Sequence, residues 1–158
     1  MITVIANLKG GSGKSTIAFN LAIWLLTRGE TVIAYDLDPQ KTLTDVSLVR
    51  KDEGVKPELQ VEDINGSNVV DELRSNFCQV LVDVGAANMD AMKAAISVAD
   101  RISIPVPPSQ PDVWATQRFL MIIHSVCGER IPDLITFINR ADTHRAIRES
   151  DEAEEALK

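Results

Sequence analysis

The sequence lacks the marks of several protein classes. None of its apolar runs approaches the length of a membrane-spanning helix, and the N-terminus enters an apolar run without a secretory signal pattern. Its two cysteines, Cys78 and Cys127, lie far apart and show no metal-ligand spacing, so we expect reduced core residues of a cytoplasmic protein. Internal repeats, low-complexity segments and an interdomain linker are also missing, which predicts a single domain over residues 1–158.

Basic residues are fewer than acidic residues in this sequence. The 16 lysines and arginines are outnumbered by 23 aspartates and glutamates, and the formal net charge is −7. This balance argues against a domain coated in positive charge, although it leaves room for a local basic patch. Arginines become more frequent late in the chain, at Arg140, Arg145 and Arg148. That cluster is compatible with such a patch and with the solvated face of a helix.

Short apolar runs alternate with segments of helical spacing along the chain. The runs predict strands at residues 2–6, 31–35, 59–62, 80–83, 102–104 and 134–138. Helical spacing predicts helices from residue 15 to a stop at Gly29 and at residues 69–77, 89–99, 113–126 and 145–157. We expect a polar loop at residues 50–57 and a stop to the fifth strand at Pro105, Pro107 and Pro108. The alternation predicts a doubly wound α/β fold, with a mostly parallel sheet covered by helices on both faces.

The most informative segment is a glycine-rich loop between the first predicted strand and the first predicted helix. It reads Lys9-Gly10-Gly11-Ser12-Gly13-Lys14-Ser15-Thr16. Its glycines permit positive φ and let successive backbone N–H groups approach a phosphate, while the following helix adds its positive end. The G-K-[ST] ending is that of a P-loop.

Each side chain at the end of this loop has a predicted role. Lys14 reaches the β- and γ-phosphates, the Ser15 hydroxyl binds Mg²⁺, and Thr16 hydrogen-bonds the α-phosphate. Leu8 stands where the first glycine of the usual P-loop spacing would be. Lys9 instead precedes the double glycine, and it adds a second positive charge to the loop.

Aspartates at the ends of two strands are candidates for the metal site, because Mg²⁺ prefers oxygen ligands and keeps much of its water. Asp83 follows an apolar strand and suits a metal-binding role, although it could also cap the next helix. Gly85 could offer its N–H to a γ-phosphate and move when that phosphate leaves. One of Asp36 and Asp38 could support the metal's water shell while the other orients an attacking water. Alternatively, the two aspartates simply form a turn.

The last strand ends in Asn139-Arg140-Ala141-Asp142, which has the form N-[KR]-x-D. An asparagine amide can read a purine edge with a donor and an acceptor together. Asp142 could accept from a guanine edge, but we favour it as the cap of the last helix. Because ligands of parallel α/β sheets bind at the carboxyl ends of the strands, all these polar residues are predicted to share one rim.

The glycine-rich segment resembles the deviant Walker A motif of the ParA/MinD family of ATPases. Asp36-Leu37-Asp38-Pro39-Gln40 resembles the Walker A′ motif of the ParA branch, and Asp83 matches the Walker B position. Residues 104–109 are similar to the strand and loop that follow. The resemblance implies a P-loop fold with ATP and Mg²⁺ as ligands: Ser15, Asp36 and Asp83 at the metal, and Gly10, Gly11, Ser12, Gly13, Lys14, Ser15, Thr16, Gly85 and Asn139 at the nucleotide.

Further implications concern the catalytic cycle and partners. By resemblance, Lys9 crosses to the partner's nucleotide in an ATP-dependent sandwich dimer, Lys14 and Asp38 serve hydrolysis, and Asn139 contacts adenine. Partition members of the family bind DNA non-specifically, respond to a centromere-binding ParB-type protein and segregate plasmids or chromosomes. A slow, partner-stimulated, nucleoid-associated cytoplasmic ATPase is therefore expected, in the short form without an N-terminal helix-turn-helix. Relatives usually continue with a further strand and helix, which we expect this domain to lack.

Other functions stay open at this stage. A MinD-like ATPase acting on membrane is disfavoured by the Asp-Pro-Gln sequence at residues 38–40. A non-hydrolysing nucleotide-binding scaffold and a guanine-nucleotide switch, the latter based on residues 139–142, are further alternatives. An iron–sulfur reductase is disfavoured because neither cysteine falls in the glycine-containing segment after Asp83.

Overall fold

A computed structural model describes residues 1–64, 68–76, 78–141 and 149–157. The strands are β1 (Ile2–Asn7), β2 (Val32–Asp36), β3 (Val61–Glu62), β4 (Gln79–Gly85), β5 (Arg101–Val106) and β6 (Asp133–Ile138). The helices are α1 (Lys14–Thr27), α2 (Thr42–Asp52), α3 (Val69–Arg74), α4 (Met89–Val98), α5 (Gln110–Cys127) and α6 (Glu149–Ala156), with a 3₁₀ turn at Ala86–Asn88 before α4.

The strands form one six-stranded sheet in the order β3-β2-β4-β1-β5-β6, and every pairing in it is parallel. The predicted α/β class, with a parallel sheet, is therefore confirmed. β1 lies between β4 and β5, so the loop that follows it opens at the centre of the rim. The register places Asn7 beside Gly85 and Asp36 beside Asp83. Strand-end residues far apart in sequence thus become neighbours.

Helices pack on both faces of the sheet, as predicted. Successive strand residues point to opposite faces, so Val4 and Ile5 of β1 belong to different hydrophobic clusters. The larger cluster takes in Met92 of α4 and Phe119 of α5, both fully buried. The smaller cluster takes in Ala18 and Ala22 of α1, whose small side chains let that helix pack closely on the sheet.

Two predictions about local structure are wrong. Residues 50–52 belong to α2 and not to a polar loop, and this whole helix was not predicted. Its N-cap is Lys41 in a left-handed conformation, without a side-chain cap of the usual kind.

The second wrong prediction is the stop at Pro105, because β5 continues through this residue to Val106. The pairing of β1 with β5 ends at Ser103, so the backbone N–H that Pro105 lacks is not needed for that pairing. The Pro105 carbonyl accepts a hydrogen bond from the Asn7 side chain at 2.8 Å.

Several other predictions concern single residues. Cys78 and Cys127 are free and half-buried against the larger cluster. The predicted roles of Asp142, Arg145 and Arg148 lie outside the described residues, as does the start of the last predicted helix. Among the residues that the structure does describe, no helix is long and apolar enough to cross a bilayer.

Candidate functional site

The loop between β1 and α1 has the backbone of an anion-binding turn. Gly11 and Gly13 adopt φ values of 72° and 89°, which only glycine reaches at little cost. Gly13 is the N-cap of α1 and supplies no side chain to the N–H groups of the first turn. Those donors, together with the positive end of a 14-residue helix, can therefore bind an anion.

A cleft of about 410 Å³ opens over this loop. Its size is in the range of small-molecule sites. Its lining combines the loop with the ends of β2 and β6: Gly10, Gly11, Gly13, Lys14, Ser15, Thr16, Asp38, Gln40, Thr42 and Arg140. Residues from three separate parts of the chain thus meet at the rim where the sequence predicted a nucleotide.

The two lysines of the loop point to different environments. Lys14 is only 7% exposed, and its ammonium donates to the Lys9 carbonyl at 3.3 Å, across the loop. The Lys9 side chain is exposed and does not line the cleft. Lys14 therefore belongs to the loop's own cleft, whereas Lys9 is exposed and is not among the residues that line it.

Asp36, at the end of β2, is fully buried and well supplied with hydrogen bonds. Its Oδ2 accepts from the backbone N–H and the hydroxyl of Thr44, both at 2.9 Å, and its Oδ1 accepts from the Asp38 N–H at 3.2 Å. Lys41 also donates to the Asp36 carbonyl at 2.6 Å. Asp36 thus ties the start of α2 to the sheet, and little of its carboxylate is left for direct metal binding.

Asp83, its neighbour on β4, is equally buried but unpaired. Neither of its carboxylate oxygens has a hydrogen-bond partner among the described residues. Burial is the main reason that the pKa of Asp83 is raised to about 6. The nearby Ser15 hydroxyl lowers that pKa without meeting hydrogen-bond geometry, and the negative charge of Asp36 raises it. The next helix is capped by Asn88, so the capping role considered for Asp83 is not what the structure shows.

The Asp38 carboxylate lies close against the backbone of Gly85. A Cβ on Gly85 would collide with Oδ2 of Asp38 and would lie 3.7 Å from Cε of Lys14. The Oδ1 of Asp38 accepts from the N–H of Gln40 at 3.0 Å, which fixes the carboxylate over β4. Glycine at residue 85 is therefore required for Asp38 to lie beside Lys14.

Asn139 and Arg140 reach the loop from the end of β6. The Asn139 amide donates to the carbonyl of Ser12 at 2.8 Å, and the Arg140 guanidinium donates to the carbonyl of Gly11 at 2.7 Å. The Ser12 side chain is fully buried and its hydroxyl has no partner among the described residues. The Asn139 side chain, which was predicted to contact a base, thus also contacts the glycine-rich loop at residues 9–16, called the phosphate loop from here on.

The donor set fits a hydrated divalent cation. Asp83 offers two buried, unpaired oxygens close to the Ser15 hydroxyl, and oxygen ligands are what Mg²⁺ requires. In the part of the chain that the structure describes, no three carboxylate, histidine or cysteine side chains group into a metal cage. Such a site suits Mg²⁺ held by one or two protein ligands together with phosphates and water.

Nearly all of the predicted site residues lie at or directly behind this cleft; Lys9 is at its outer edge. The sequence analysis did not single out Gln40, Thr42 or Arg140 as cleft residues, nor Thr44 as the partner of Asp36. Gln40 was part of a recognised motif, and Arg140 adjoins Asn139, so both had a signal in the sequence. Thr44 had none, because its contact with Asp36 depends on where α2 begins.

A family model and a curated relative agree on the family that this chain resembles. A family model described as the CobQ/CobB/MinD/ParA nucleotide binding domain matches residues 3–158. The protein ParA of Rhizobium radiobacter is 31% identical over 127 residues, which are 77% of this chain and 55% of that protein. The aligned regions cover 55% of that protein and 57% of the maintenance of carboxysome distribution protein A of Halothiobacillus neapolitanus, so the chain spans about half the length of these two relatives.

Solved structures share the fold at low sequence identity. A plasmid partition protein from Borrelia burgdorferi bound to AMPPNP has a TM-score of 0.78 and 19% identity, over 99% of this chain and 81% of that one. Cobyrinic acid a,c-diamide synthase from Mycobacterium smegmatis, with an ATP analogue and magnesium, has a TM-score of 0.76 and 17% identity. That alignment covers 99% of this chain and 80% of the synthase.

Proposed function

The chain belongs to the CobQ/CobB/MinD/ParA family of nucleotide-binding domains, and from this premise we propose that it is a partition-type ATPase. ATP binding would close a dimer that associates with DNA, and hydrolysis would reset it during plasmid or chromosome segregation. The name of the ParA relative and the nucleotide-bound partition protein support this choice within the family.

One observation supports the binding of a nucleotide with Mg²⁺ above the others. An unpaired, buried carboxylate lies next to a phosphate-binding loop, at Asp83. Leaving such a group without a partner is costly, so the arrangement is best explained by a cationic ligand at this position. A nucleotide carrying Mg²⁺ supplies that cation together with the phosphates that suit the loop.

The proposed roles follow from the geometry. Ser15 and Asp83 would hold Mg²⁺, with Asp36 acting through its water shell. When bound, Mg²⁺ neutralises charge on the phosphate oxygens. Lys14 and the loop N–H groups would bind the phosphates, and the Asp38 carboxylate, held over Gly85, would orient the attacking water.

Dimerisation is proposed from the position of Lys9. Its side chain is exposed at the edge of the cleft and is not among the residues that line it. This is the position expected of a group that acts on another molecule. We propose that Lys9 reaches the phosphates bound by a second copy of this chain. Non-specific DNA and a centromere-binding protein of the ParB type are the further proposed partners, with the nucleoid as the proposed location.

The decisive experiment measures assembly and turnover together. Light scattering with ADP, ATP and a non-hydrolysable analogue, with and without DNA, should show a dimer only with the triphosphates. DNA should stimulate phosphate release, and Asp38→Ala should bind ATP but accumulate as a dimer. ATP binding without any phosphate release would instead favour a non-hydrolysing scaffold, and turnover indifferent to DNA and to a partner protein would contradict the partition role.

Lys9→Ala tests the second copy. The variant should lose ATP-dependent dimerisation and keep nucleotide binding as a monomer, because Lys14 remains in the cleft. Lys93→Ala, which removes an exposed lysine from α4, is the matched control and should dimerise normally. A Lys9→Ala protein that dimerises like the control would refute the proposed role of Lys9.

A further inference from the structure

Two consecutive side chains at the end of β6 hold two consecutive carbonyls of the phosphate loop. Asn139 donates to the carbonyl of Ser12 and Arg140 to that of Gly11, at 2.8 and 2.7 Å. The partners are 127 and 129 residues apart in sequence, so these contacts are made by the fold and not by local structure.

The donors are themselves fixed to the sheet. The Asn139 N–H donates to the Val106 carbonyl at 2.8 Å, which continues the β5–β6 pairing beyond Ile138. Arg140 has a φ of 62°, a left-handed conformation that non-glycine residues adopt only when their surroundings hold them there. The side chain leaves the strand end in the direction of the loop and also lines the cleft. The two donors are thus set by the backbone of β6.

These contacts orient the donors that would meet a phosphate. In a trans peptide the C=O of one residue and the N–H of the next point in opposite directions. Holding the Ser12 carbonyl against Asn139 therefore directs the Gly13 N–H away from β6. The approach is so close that a Cβ on Gly13 would collide with the Asn139 amide nitrogen. Holding the Gly11 carbonyl constrains the Ser12 N–H in the same way.

We propose that Asn139 and Arg140 are positioning residues for the phosphate loop, which orient its N–H groups before a nucleotide arrives. The inference rests on the proposed nucleotide-binding function and adds to it a role separate from recognition of adenine. One N–H of the Asn139 amide is engaged with Ser12, so its second N–H and its Oδ1 are left for a base. Arg140 retains further guanidinium N–H groups for a ligand in the cleft.

The two roles of Asn139 predict different losses. A residue that only reads adenine affects ATP and leaves a ligand without a base untouched. A residue that positions the loop affects every ligand bound through its phosphates, in similar proportion. Calorimetric titration of Asn139→Ala with Mg·ATP, Mg·GTP and inorganic tripolyphosphate separates these cases.

We expect Asn139→Ala to weaken all three ligands by about five- to tenfold, the effect of one lost hydrogen bond. Arg140→Ala should do the same, and Arg140→Lys, which keeps one charged donor, should restore part of the affinity. Arg118→Ala removes an exposed arginine from α5 and should bind like the parent protein. A loss confined to ATP, or unchanged tripolyphosphate binding, would overturn the proposal.

A measurement without ligand keeps this test separate from the proposed function. Backbone ¹⁵N relaxation should give order parameters of about 0.85 for the Ser12 and Gly13 amides of the parent protein. In Asn139→Ala they should fall below about 0.6. If the parent protein binds no nucleotide, the proposed function fails, while this comparison still decides whether Asn139 orders the loop; equal order parameters would reject that role.

Discussion

Asp36 ends β2 and Asp83 lies near the end of the neighbouring strand β4; the two are paired in register and both fully buried, yet their surroundings differ. Three hydrogen bonds from Thr44 and Asp38 reach the carboxylate of Asp36. The carboxylate of Asp83 receives none from the described residues. The same side chain at equivalent positions thus stabilises the fold on β2 and remains available to a ligand on β4.

The difference separates two kinds of site residue. A buried carboxylate that is hydrogen-bonded by its own protein contributes to stability, whereas one that is unpaired opposes it. Asp36 is therefore expected to act on nucleotide chemistry indirectly, through the metal's water shell and through the positions of α2 and Asp38. Asp83 is expected to act directly, and at a cost to the stability of the ligand-free protein. Three experiments test this contrast, beginning with the largest expected effect.

Removing the charge of Asp83 should affect turnover most. We expect Asp83→Asn to reduce ATP hydrolysis by about three orders of magnitude, in the upper range for loss of one electrostatic contact to a transition state. The variant should remain folded, because the residue it replaces makes no hydrogen bond among the described residues. Phosphate release under saturating Mg·ATP measures the effect. A variant within about tenfold of the parent would show that Asp83 is not the metal-binding carboxylate.

Asp83→Asn should stabilise the ligand-free protein, although it lowers turnover. The pKa of Asp83 is about 6 in the folded protein, against 3.8 for an unperturbed aspartate, so the folded state binds its proton more tightly than the unfolded chain does. Wild-type stability relative to Asp83→Asn should therefore fall as the pH rises from about 4 to 6 and level off above that, by about 3 kcal/mol.

Urea unfolding of both proteins in chelator, at several pH values between about 4 and 8, measures this difference across the two pKa values. The variant should be the more stable protein at the upper end of this range, and the two curves should converge toward the lower end. A parent protein that gains stability over the variant as the pH rises would show that Asp83 is paired in solution.

The smallest effect concerns the hydrogen bonds of Asp36. Thr44→Val keeps the shape of the side chain and the backbone N–H but removes the hydroxyl that donates to Asp36 at 2.9 Å. We expect the free energy of unfolding to fall by about 1.5 kcal/mol, as for a hydrogen bond to a charged group. Thr42→Val, at the exposed first residue of α2, should change it by less than about 0.5 kcal/mol. Equal effects of the two substitutions would contradict the assigned role of Thr44.

Local patterns were sufficient for much of the fold. The apolar run of β1, the glycine loop and the spacing of α1 predicted a strand, a turn and a helix, and the structure confirms all three. α2 escaped prediction because β-branched residues are frequent in it and its N-cap is Lys41. Its start is held by Asp36 on a neighbouring strand, and its remaining signals were weak ones, Asp45 in the first turn and Lys51 in the last.

The sequence by itself determined the chemistry of this protein: a loop of glycines and lysines for phosphate, and aspartates at strand ends. Those properties depend on residue type and short spacing, which the chain carries before it folds. Only the tertiary structure decided how the aspartates differ and how Asn139 and Arg140 are used. The register of β2 with β4 and the end of β6 set which donors reach each carboxylate and carbonyl, and such contacts between distant residues leave no mark in local sequence.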